Sequence, residues 1–353
     1  MVKFSIIIPV FNASSYLDRA IDSIIEQKVQ NWELLAVNDA STDNSLEVLQ
    51  NYQQRDQRIK VIDLKENKGQ GYARNLALKK AKGKYVLFLD ADDYFAKDAF
   101  KQLLNAIEKK PKTEVFVWGY SLFQTGKKKR KVFLPQKPDK TEGEKPFQLG
   151  MLSRKGFSAY PWVYVVKRSL IEEYALCFSD GIYFEDIEFT TSLLFYAKKV
   201  SVLPFVGYHY RKHPQSVTGR SSKQKIDNKF TAFTQIKTFL EDQGVFQQYQ
   251  PLYLARFLTF CVYTSFNDYF SLSKNECDQE LDEYMYRIRK SKLLRKENLL
   301  LLRNIGLSLS RETEKTTRAA YLRAYAGLSG IKNRYYLHRF LTRLFLRLNG
   351  LKA

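Results

Sequence analysis

Cysteine is scarce in this chain. Three occur in 353 residues, at Cys177, Cys261 and Cys277. They form no pattern with histidine, which excludes a disulfide framework or a zinc-finger spacing and suits a reducing compartment. They are expected as buried small hydrophobes. Long apolar runs are missing too. No stretch reaches the ~20 uninterrupted apolar residues that cross a bilayer. The best candidate, 252–272, is broken by Arg256, Asn267 and Asp268 and reads as a buried, aromatic-rich helix. The opening Met1-Val2-Lys3-Phe4 leads into an apolar run cut by Pro9 and Asn12, too short for the core of a secretory signal. A cytoplasmic location is therefore expected.

Acidic residues are in short supply as well. The chain has 37 Asp and Glu against 58 Lys and Arg, a net charge of +21. The imbalance is uneven. Residues 1–110 hold 17 basic and 15 acidic groups, whereas 285–353 hold 17 basic and 3 acidic. Such an excess gives affinity for phosphate-rich polymers and anionic surfaces. A nucleic-acid partner is not expected, because no helix-turn-helix, zinc-finger spacing or RNA-binding aromatic signature occurs. The run Lys127-Lys128-Lys129-Arg130-Lys131 lies between apolar stretches and reads as an exposed hairpin tip. In 335–348, Arg339, Arg343 and Arg347 recur every four residues opposite Leu337, Phe340, Leu341, Leu344, Phe345 and Leu348. A basic amphipathic helix of this kind suits the inner face of an anionic membrane. A helix packed on the protein and a homo-oligomer contact are the other readings the pattern allows.

What is present in abundance is an alternation of strands and helices. Ser5 to Val10 reads as a buried strand closed by a turn at Pro9 and Asn12. Ser14 and Ser15 offer caps for a helix to about Gln27. Trp32 to Val37 is a second strand, Ser45 to Gln54 a helix, Ile59 to Asp63 a third strand, Tyr72 to Ala81 a helix, and Tyr85 to Leu89 a fourth strand. This spacing predicts βαβ units, an α/β fold with a mostly parallel sheet. Polar groups follow each strand: Asn12, then Asp39, then Asn67 and Lys68, then Asp90-Ala91-Asp92-Asp93. They should line the carboxyl edge, where open α/β sheets bind ligands. Three carboxylates this close repel each other unless a cation lies among them. Mg²⁺ or Mn²⁺ typically takes one or two protein carboxylates plus a substrate diphosphate.

The combination of Ser5-Ile6-Ile7-Ile8-Pro9-Val10-Phe11-Asn12, Val37-Asn38-Asp39-Ala40-Ser41-Thr42-Asp43, Asn67-Lys68-Gly69 with Ala73-Arg74-Asn75, and Asp90-Ala91-Asp92-Asp93 resembles the family 2 glycosyltransferases, inverting enzymes of the GT-A fold. Tyr183-Phe184-Glu185-Asp186-Ile187-Glu188-Phe189 looks like the family's acidic motif, and Tyr208-His209-Tyr210-Arg211 with Ser216-Val217-Thr218 like its closing segment. The resemblance covers roughly residues 3–220. It implies a Rossmann-like catalytic domain over 1–220 and a helical, basic region over 221–353. The implied substrates are a UDP-sugar and a hydroxyl of a polysaccharide, teichoic-type or lipid-linked acceptor. Pro9, Phe11 and Asp39 are implied to frame the base, with Asp39 accepting from the uracil imide. Asn12 and Lys68 join the nucleotide set, with Arg74 on the base or phosphate side. Asp90 is implied to meet the ribose or the metal, and Asp92 the metal. Asp186 is implied to be the catalytic base. Asn38 and Ala40 stand where the family often has Asp and Gly, and Tyr164 where many members have Lys.

The chemistry asks for such groups independently. Sugar transfer needs a carboxylate to take the proton of the attacking hydroxyl. By position either Glu185 or Asp186 could do this, since consecutive residues of an extended segment face opposite ways; a helix N-terminus, which favours acids, is the structural alternative. Glu185 would then hold a neighbouring backbone or basic group. The Arg211 guanidinium suits a pair of diphosphate oxygens. Ser216 could donate to the same phosphate, and Asp93 is grouped with these phosphate or sugar contacts. His209 or His213 could be a third metal ligand, meet the diphosphate, or play a plain surface or stacking role. Trp162 reads as a wall beneath a sugar ring or as plain core. Two other functions are open to the sequence: a nucleotide-sugar-binding module without catalysis, and nucleic-acid binding.

Overall fold

The computed structural model describes residues 2–126, 130–135, 159–213, 222–257 and 260–261. The chain divides into two compact units, Met1–Gly219 and Arg220–Ala353. In the first, β1 (Phe4–Val10) pairs in parallel with β2 (Trp32–Asn38) and β4 (Tyr85–Phe88), and β2 pairs in parallel with β3 (Ile59–Asp63). Every residue of β1 and β2 is buried, as in strands covered on both faces. Helices α1 (Ser14–Ile25), α2 (Ser45–Arg55) and α3 (Gln70–Leu78) make the crossovers. This is the α/β pattern read from the periodicity.

Beyond β4 the sheet becomes mixed. After β5 (Tyr94–Phe95) and helix α4 (Ala99–Lys109) come β6 (Val115–Gln124), β7 (Lys131–Phe133), β8 (Tyr164–Lys167), α5 (Arg168–Glu173), α6 (Glu185–Tyr196) and β9 (Val200–Lys212). The order is β3-β2-β1-β4-β8-β6-β9-β5, with β7 paired to β6. Strand β8 is antiparallel to both β4 and β6, β6 and β9 are parallel, and β5 is antiparallel to β9. At two residues, β5 is too short to show a period.

The second unit contains α7 (Lys223–Asp242) and α8 (Phe246–Phe257). They pack through Phe233, whose ring lies 5.9 Å from both Tyr253 and Phe257. Cys261 is buried and its thiol donates to the Lys229 carbonyl at 3.3 Å. Cys177 is exposed, contrary to the expectation that every cysteine packs inside. No helix among the described residues is long and apolar enough to cross a membrane. Cys277, Ser216, Lys127 to Lys129, most of 252–272 and the whole of 335–348 lie outside the described residues.

Two local expectations need correction. Pro9 does not close β1; it sits within the strand opposite Val37. The Asp39 N–H donates to the Val10 carbonyl at 2.8 Å, and the Leu89 N–H to Ile7 at 3.0 Å. Peptide groups alternate in direction, so Pro9 faces the β4 side, and its missing N–H falls where the pairing with β4 stops. Ser14 and Ser15 do not cap α1. The Ala13 N–H donates to Ser45 Oγ at 2.9 Å and the Ser14 N–H to Asp43 Oδ2 at 3.0 Å. Two amides at the start of α1 are thus satisfied by the neighbouring crossover.

Ala40 has φ 56, the left-handed region. A Cβ is disfavoured there by about 1–2 kcal/mol, so a glycine would sit at this position without strain. Asn38 also has a local reason: its amide donates to Asp63 Oδ1 at 2.8 Å, where an aspartate would set two carboxylates together. Ala40→Gly is expected to stabilise the first unit by about 0.5–1 kcal/mol, once the extra freedom of an unfolded glycine is subtracted. Thermal unfolding checks this; an unchanged or lowered midpoint would contradict it.

Candidate active site

The carboxyl ends of β1, β2 and β4 meet at one edge. Asn12, at φ 50, turns the chain out of β1. Its Oδ1 accepts from the Thr42 N–H at 2.7 Å and the Thr42 hydroxyl at 3.2 Å, and its N–H donates to Ser41 Oγ at 3.1 Å. Asn12 therefore ties the loop after β1 to the loop after β2. Phe11 beside it is 50% exposed, an open ring face against which a flat base can lie. Pro9 is buried below it.

Asp39 is buried, and both its oxygens are engaged. Oδ1 accepts from the Lys68 N–H at 2.7 Å and Oδ2 from the Gly69 N–H at 2.8 Å. The carboxylate so shapes the loop before α3, and each oxygen keeps a lone pair. Lys68 contributes its backbone here; its ammonium pairs with Glu66.

Arg74, on α3, differs most from expectation. It is 2% exposed, and its guanidinium is taken up by two carboxylates. Nη1 donates to Glu185 Oε1 at 2.5 Å and Nη2 to Asp90 Oδ1 at 2.8 Å. Its guanidinium lies 5.3 Å from the Phe178 ring. The approach of α3 requires Gly71, since a Cβ there would stand 2.5 Å from the Ser179 carbonyl and 3.1 Å from Glu185 Cγ. Asn75, one residue on, makes a reciprocal pair with Phe178: its amide donates to the Phe178 carbonyl and its Oδ1 accepts from the Phe178 N–H, both at 2.8 Å. Sequence reading quoted Asn75 but gave it no role.

Glu185 and Asp186 open α6 rather than lie on an extended segment. Acids in a first helical turn are favoured by the backbone dipole. At 3.6 residues per turn the two side chains diverge by about 100°. Glu185, 1% exposed, faces Arg74. Asp186 is half-buried and makes no ion pair among the described residues. Removal from water, then the neighbouring Glu185, pushes its carboxyl well above the usual carboxylate range. Burial likewise raises Asp90, with Arg74 opposing it.

The acids of the Asp90 cluster separate by environment. Asp93 is buried and both its oxygens are engaged within the protein: Oδ2 accepts from the Tyr208 hydroxyl at 2.8 Å and Oδ1 from the Arg211 N–H at 2.6 Å. The same Tyr208 oxygen accepts from the Asp90 N–H at 3.1 Å. One buried phenol thus clamps the loop to β9, a role no sequence pattern announced. Trp162 is core as well. It stacks on Tyr208 at 4.4 Å and on Tyr160 at 4.9 Å, so its faces are covered and it forms no sugar wall.

Asp92 remains partly exposed. Its Oδ2 lies 2.8 Å from His213 Nε2, and the His213 ring is 4.9 Å from Tyr16. Arg211 stands 5.0 Å from the same Tyr16 ring. These groups bring together the sequence-expected metal and diphosphate residues, and Tyr16 is an addition. His209 lies elsewhere, its Nδ1 2.6 Å from Ser121 Oγ. Among the described residues no group of three His, Cys, Asp or Glu side chains could hold a metal. Asp92 and His213 form a two-donor set of carboxylate oxygen and imidazole nitrogen. That fits a cation drawing its other ligands from a diphosphate and water. Asp90, tied to Arg74, is the weaker ligand.

Residues 5–174 match the family model described as Glycosyl transferase family 2. This part of the chain belongs to that family. The chain is 33% identical over 232 residues to a Bacillus subtilis protein named uncharacterized glycosyltransferase EpsJ, covering 63% of this chain and 65% of that one. It is 30% identical over 213 residues to the poly(ribitol-phosphate) beta-glucosyltransferase of Bacillus spizizenii, covering 59% and 32%. Alignment thus spans less than two thirds of each of these relatives. The crystal structure of Staphylococcus aureus TarS 1–349 in complex with UDP superposes with a TM-score of 0.62 at 21% identity, covering 96% of this chain and 92% of that one. The likeness supports the GT-A fold.

Replacing Arg74 by Ala would leave Glu185 and Asp90 without their cation. Removing one partner of a buried pair typically costs about 3–5 kcal/mol. Arg74→Ala is expected to destabilise the first unit by about that much in urea titration, and Arg74→Lys, whose single ammonium cannot fork to both acids, by an intermediate amount. A loss under about 1 kcal/mol in Arg74→Ala would show that the bridge is not structural.

Proposed function

We propose that the protein transfers a sugar, with inversion, from a UDP-sugar to a hydroxyl of a cell-surface polysaccharide, teichoic-type polymer or lipid-linked saccharide. The observation that supports this most directly is the pairing of two chemically distinct carboxylate environments at one sheet edge. Asp92 faces His213 and is open to a ligand. Asp186 is withdrawn from water and unpaired. Phe11 and Asp39 border the place for the base, and Arg211 with Tyr16 the place for the diphosphate. Asp92 and His213 would hold Mn²⁺ or Mg²⁺, whose charge offsets that developing on the leaving diphosphate. Asp186 takes the proton of the acceptor hydroxyl at its free carboxylate oxygen. Its raised affinity for protons makes it a better acceptor near neutral pH than an ordinary aspartate. Glu185 and Arg74 fix where that carboxylate points without touching the reacting atoms.

The proposal also places the protein on the inner face of an anionic membrane. The sequence observation behind this is the Arg339, Arg343 and Arg347 stripe in a strongly basic tail.

Asp186→Asn keeps the shape but cannot accept the proton. It should bind UDP in calorimetry as the parent does and lose transfer by about 10²-fold or more. Undiminished turnover would remove Asp186 from the base role. In the parent, activity should fall as pH drops through the raised Asp186 pKa, so the acid limb lies above the usual carboxylate range. Asp92→Ala should abolish metal-stimulated turnover while leaving the melting midpoint unchanged, because this carboxylate is partly exposed; full activity in excess chelator would sink the metal assignment. Deleting 335–353 should release the protein from anionic liposomes and spare donor hydrolysis. Liposome binding that survives the deletion would count against the membrane reading.

A further inference from the structure

Next to the donor edge, a run of guanidinium groups is laid on aromatic rings. Arg211, near the end of β9, stands 5.5 Å from the Phe123 ring of β6. Arg130, just before β7, stands 5.2 Å from that same ring, and its Nη2 is 3.4 Å from the Tyr94 hydroxyl. Tyr94 lies 5.5 Å from Phe123, and Arg19 of α1 sits 4.7 Å over the Tyr94 ring. Three positive groups therefore share two adjoining rings. Like charges gathered in this way repel unless an anion lies among them.

The protein supplies little of that compensation itself. Among the described residues, Arg130 and Arg211 have no carboxylate within salt-bridge distance. Arg19 has Glu26 at 3.5 Å, and both side chains are at least half exposed, at 50% and 65%, so the pair is weak. His209, 4.7 Å from Tyr94, registers the resulting field. Burial, then the nearby Arg130 and Arg19, hold its pKa down to about 4.

We infer that Arg19 and Arg130, continuing from Arg211, form a binding track for an anionic acceptor chain whose repeating units carry phosphate or carboxylate groups. The inference rests on the glycosyltransferase reading and names the acceptor class for it. Guanidinium forks match both kinds of anion bidentately. The track adjoins the reacting edge, because the Arg211 N–H is bonded to Asp93 of the acidic cluster. An acceptor must reach that edge, whereas a lipid surface need not. Nucleic acid fits less well: the Tyr94 ring is buried and the arginines already occupy both rings, leaving no platform for base stacking.

The test uses the full chain and the double variant Arg19→Ala/Arg130→Ala. A second double variant, Arg339→Ala/Arg343→Ala, controls for general attraction to the basic tail. The probes are a poly(glycerol phosphate) oligomer, polygalacturonate, neutral dextran, single-stranded RNA and phosphatidylglycerol vesicles. The wild type should bind the phosphate or the carboxylate polymer in a salt-dependent manner and ignore dextran. The first variant should weaken binding of one of those polymers by about tenfold, and the preferred polymer tells phosphate from carboxylate. Its UDP affinity, donor hydrolysis and melting midpoint should match the wild type, because neither arginine belongs to the donor site. Equal polymer affinity in wild type and variant, an equal loss in the tail control, or a loss confined to RNA or to vesicles would each overturn the track. Failure of the wild type to bind UDP would instead overturn the glycosyltransferase reading on which it rests.

Discussion

Asp90, Glu185 and Asp186 crowd one end of the sheet, and the Arg74 guanidinium buried between the first two is what lets them. A carboxylate removed from water is unstable unless it is paired and hydrogen-bonded. The distances of 2.8 and 2.5 Å supply both conditions at once. The two contacts span very different separations in sequence. Asp90 ends the parallel part of the sheet, whereas Glu185 starts a helix some ninety residues later. One side chain from α3 thus joins the donor-side acids to the helix that carries the proposed base. Gly71 and Asn75 serve the same end, Gly71 by allowing the close approach and Asn75 by fastening Phe178.

Around this bridge, the surroundings of each acid decide what it can do. Asp93 receives a phenol and an amide and becomes a structural clamp. Asp39 receives two loop amides and shapes the entry to α3. Asp90 is held by Arg74. Asp92 and Asp186 are left with capacity for something the protein does not itself provide. The same sorting applies to the bases. Arg74 is fully committed, while Arg19, Arg130 and Arg211 are not. Asp92, through His213, and Arg211 meet at the Tyr16 ring, an arrangement that suits the proposed reaction of an anionic substrate.

Much of this was legible in the sequence, and the reasons for the rest are physical. The strands β1 to β4 and their crossover helices show in the alternation of apolar runs and turns, and the acids after them fall where open sheets bind ligands. Asp92 and His213 were both named from sequence, and they meet. Arg74 was named for the base or phosphate side, and its type tells of charge but not of the Glu185 and Asp90 carboxylates that fold against it. Asp93 was grouped with the contacts and Trp162 was left between sugar wall and core, and both are internal; a single aromatic or acid carries no sign of the Tyr160 and Tyr208 rings or the hydroxyl that cover it. Tyr208 was quoted in the closing segment but given no role. Its role depends on β9 lying beside β5 and β6, a pairing set by strands far apart in the chain. The capping of α1 by Asp43 and Ser45 was hidden for the same reason.

The position of Asp186 follows from a strained residue. Phe184 has φ 69, an outlier for a bulky side chain and of a kind that persists only where neighbours over-determine it. Here the neighbours are identifiable. Glu185 is drawn to Arg74, and Phe178 stacks on Phe189 of the same helix at 4.1 Å. These contacts fix the first turn of α6, and Asp186 is placed by the helix rather than by bonds of its own. That distinction matters for proton transfer. A carboxylate held by its own salt bridge would have its pKa lowered and would accept a proton poorly. Delegating the ion pair to Glu185 keeps Asp186 in place, leaves it unpaired, and lets burial raise its proton affinity. The strain at Phe184 and the burial of Arg74 are two parts of one arrangement that fixes an unpaired carboxylate.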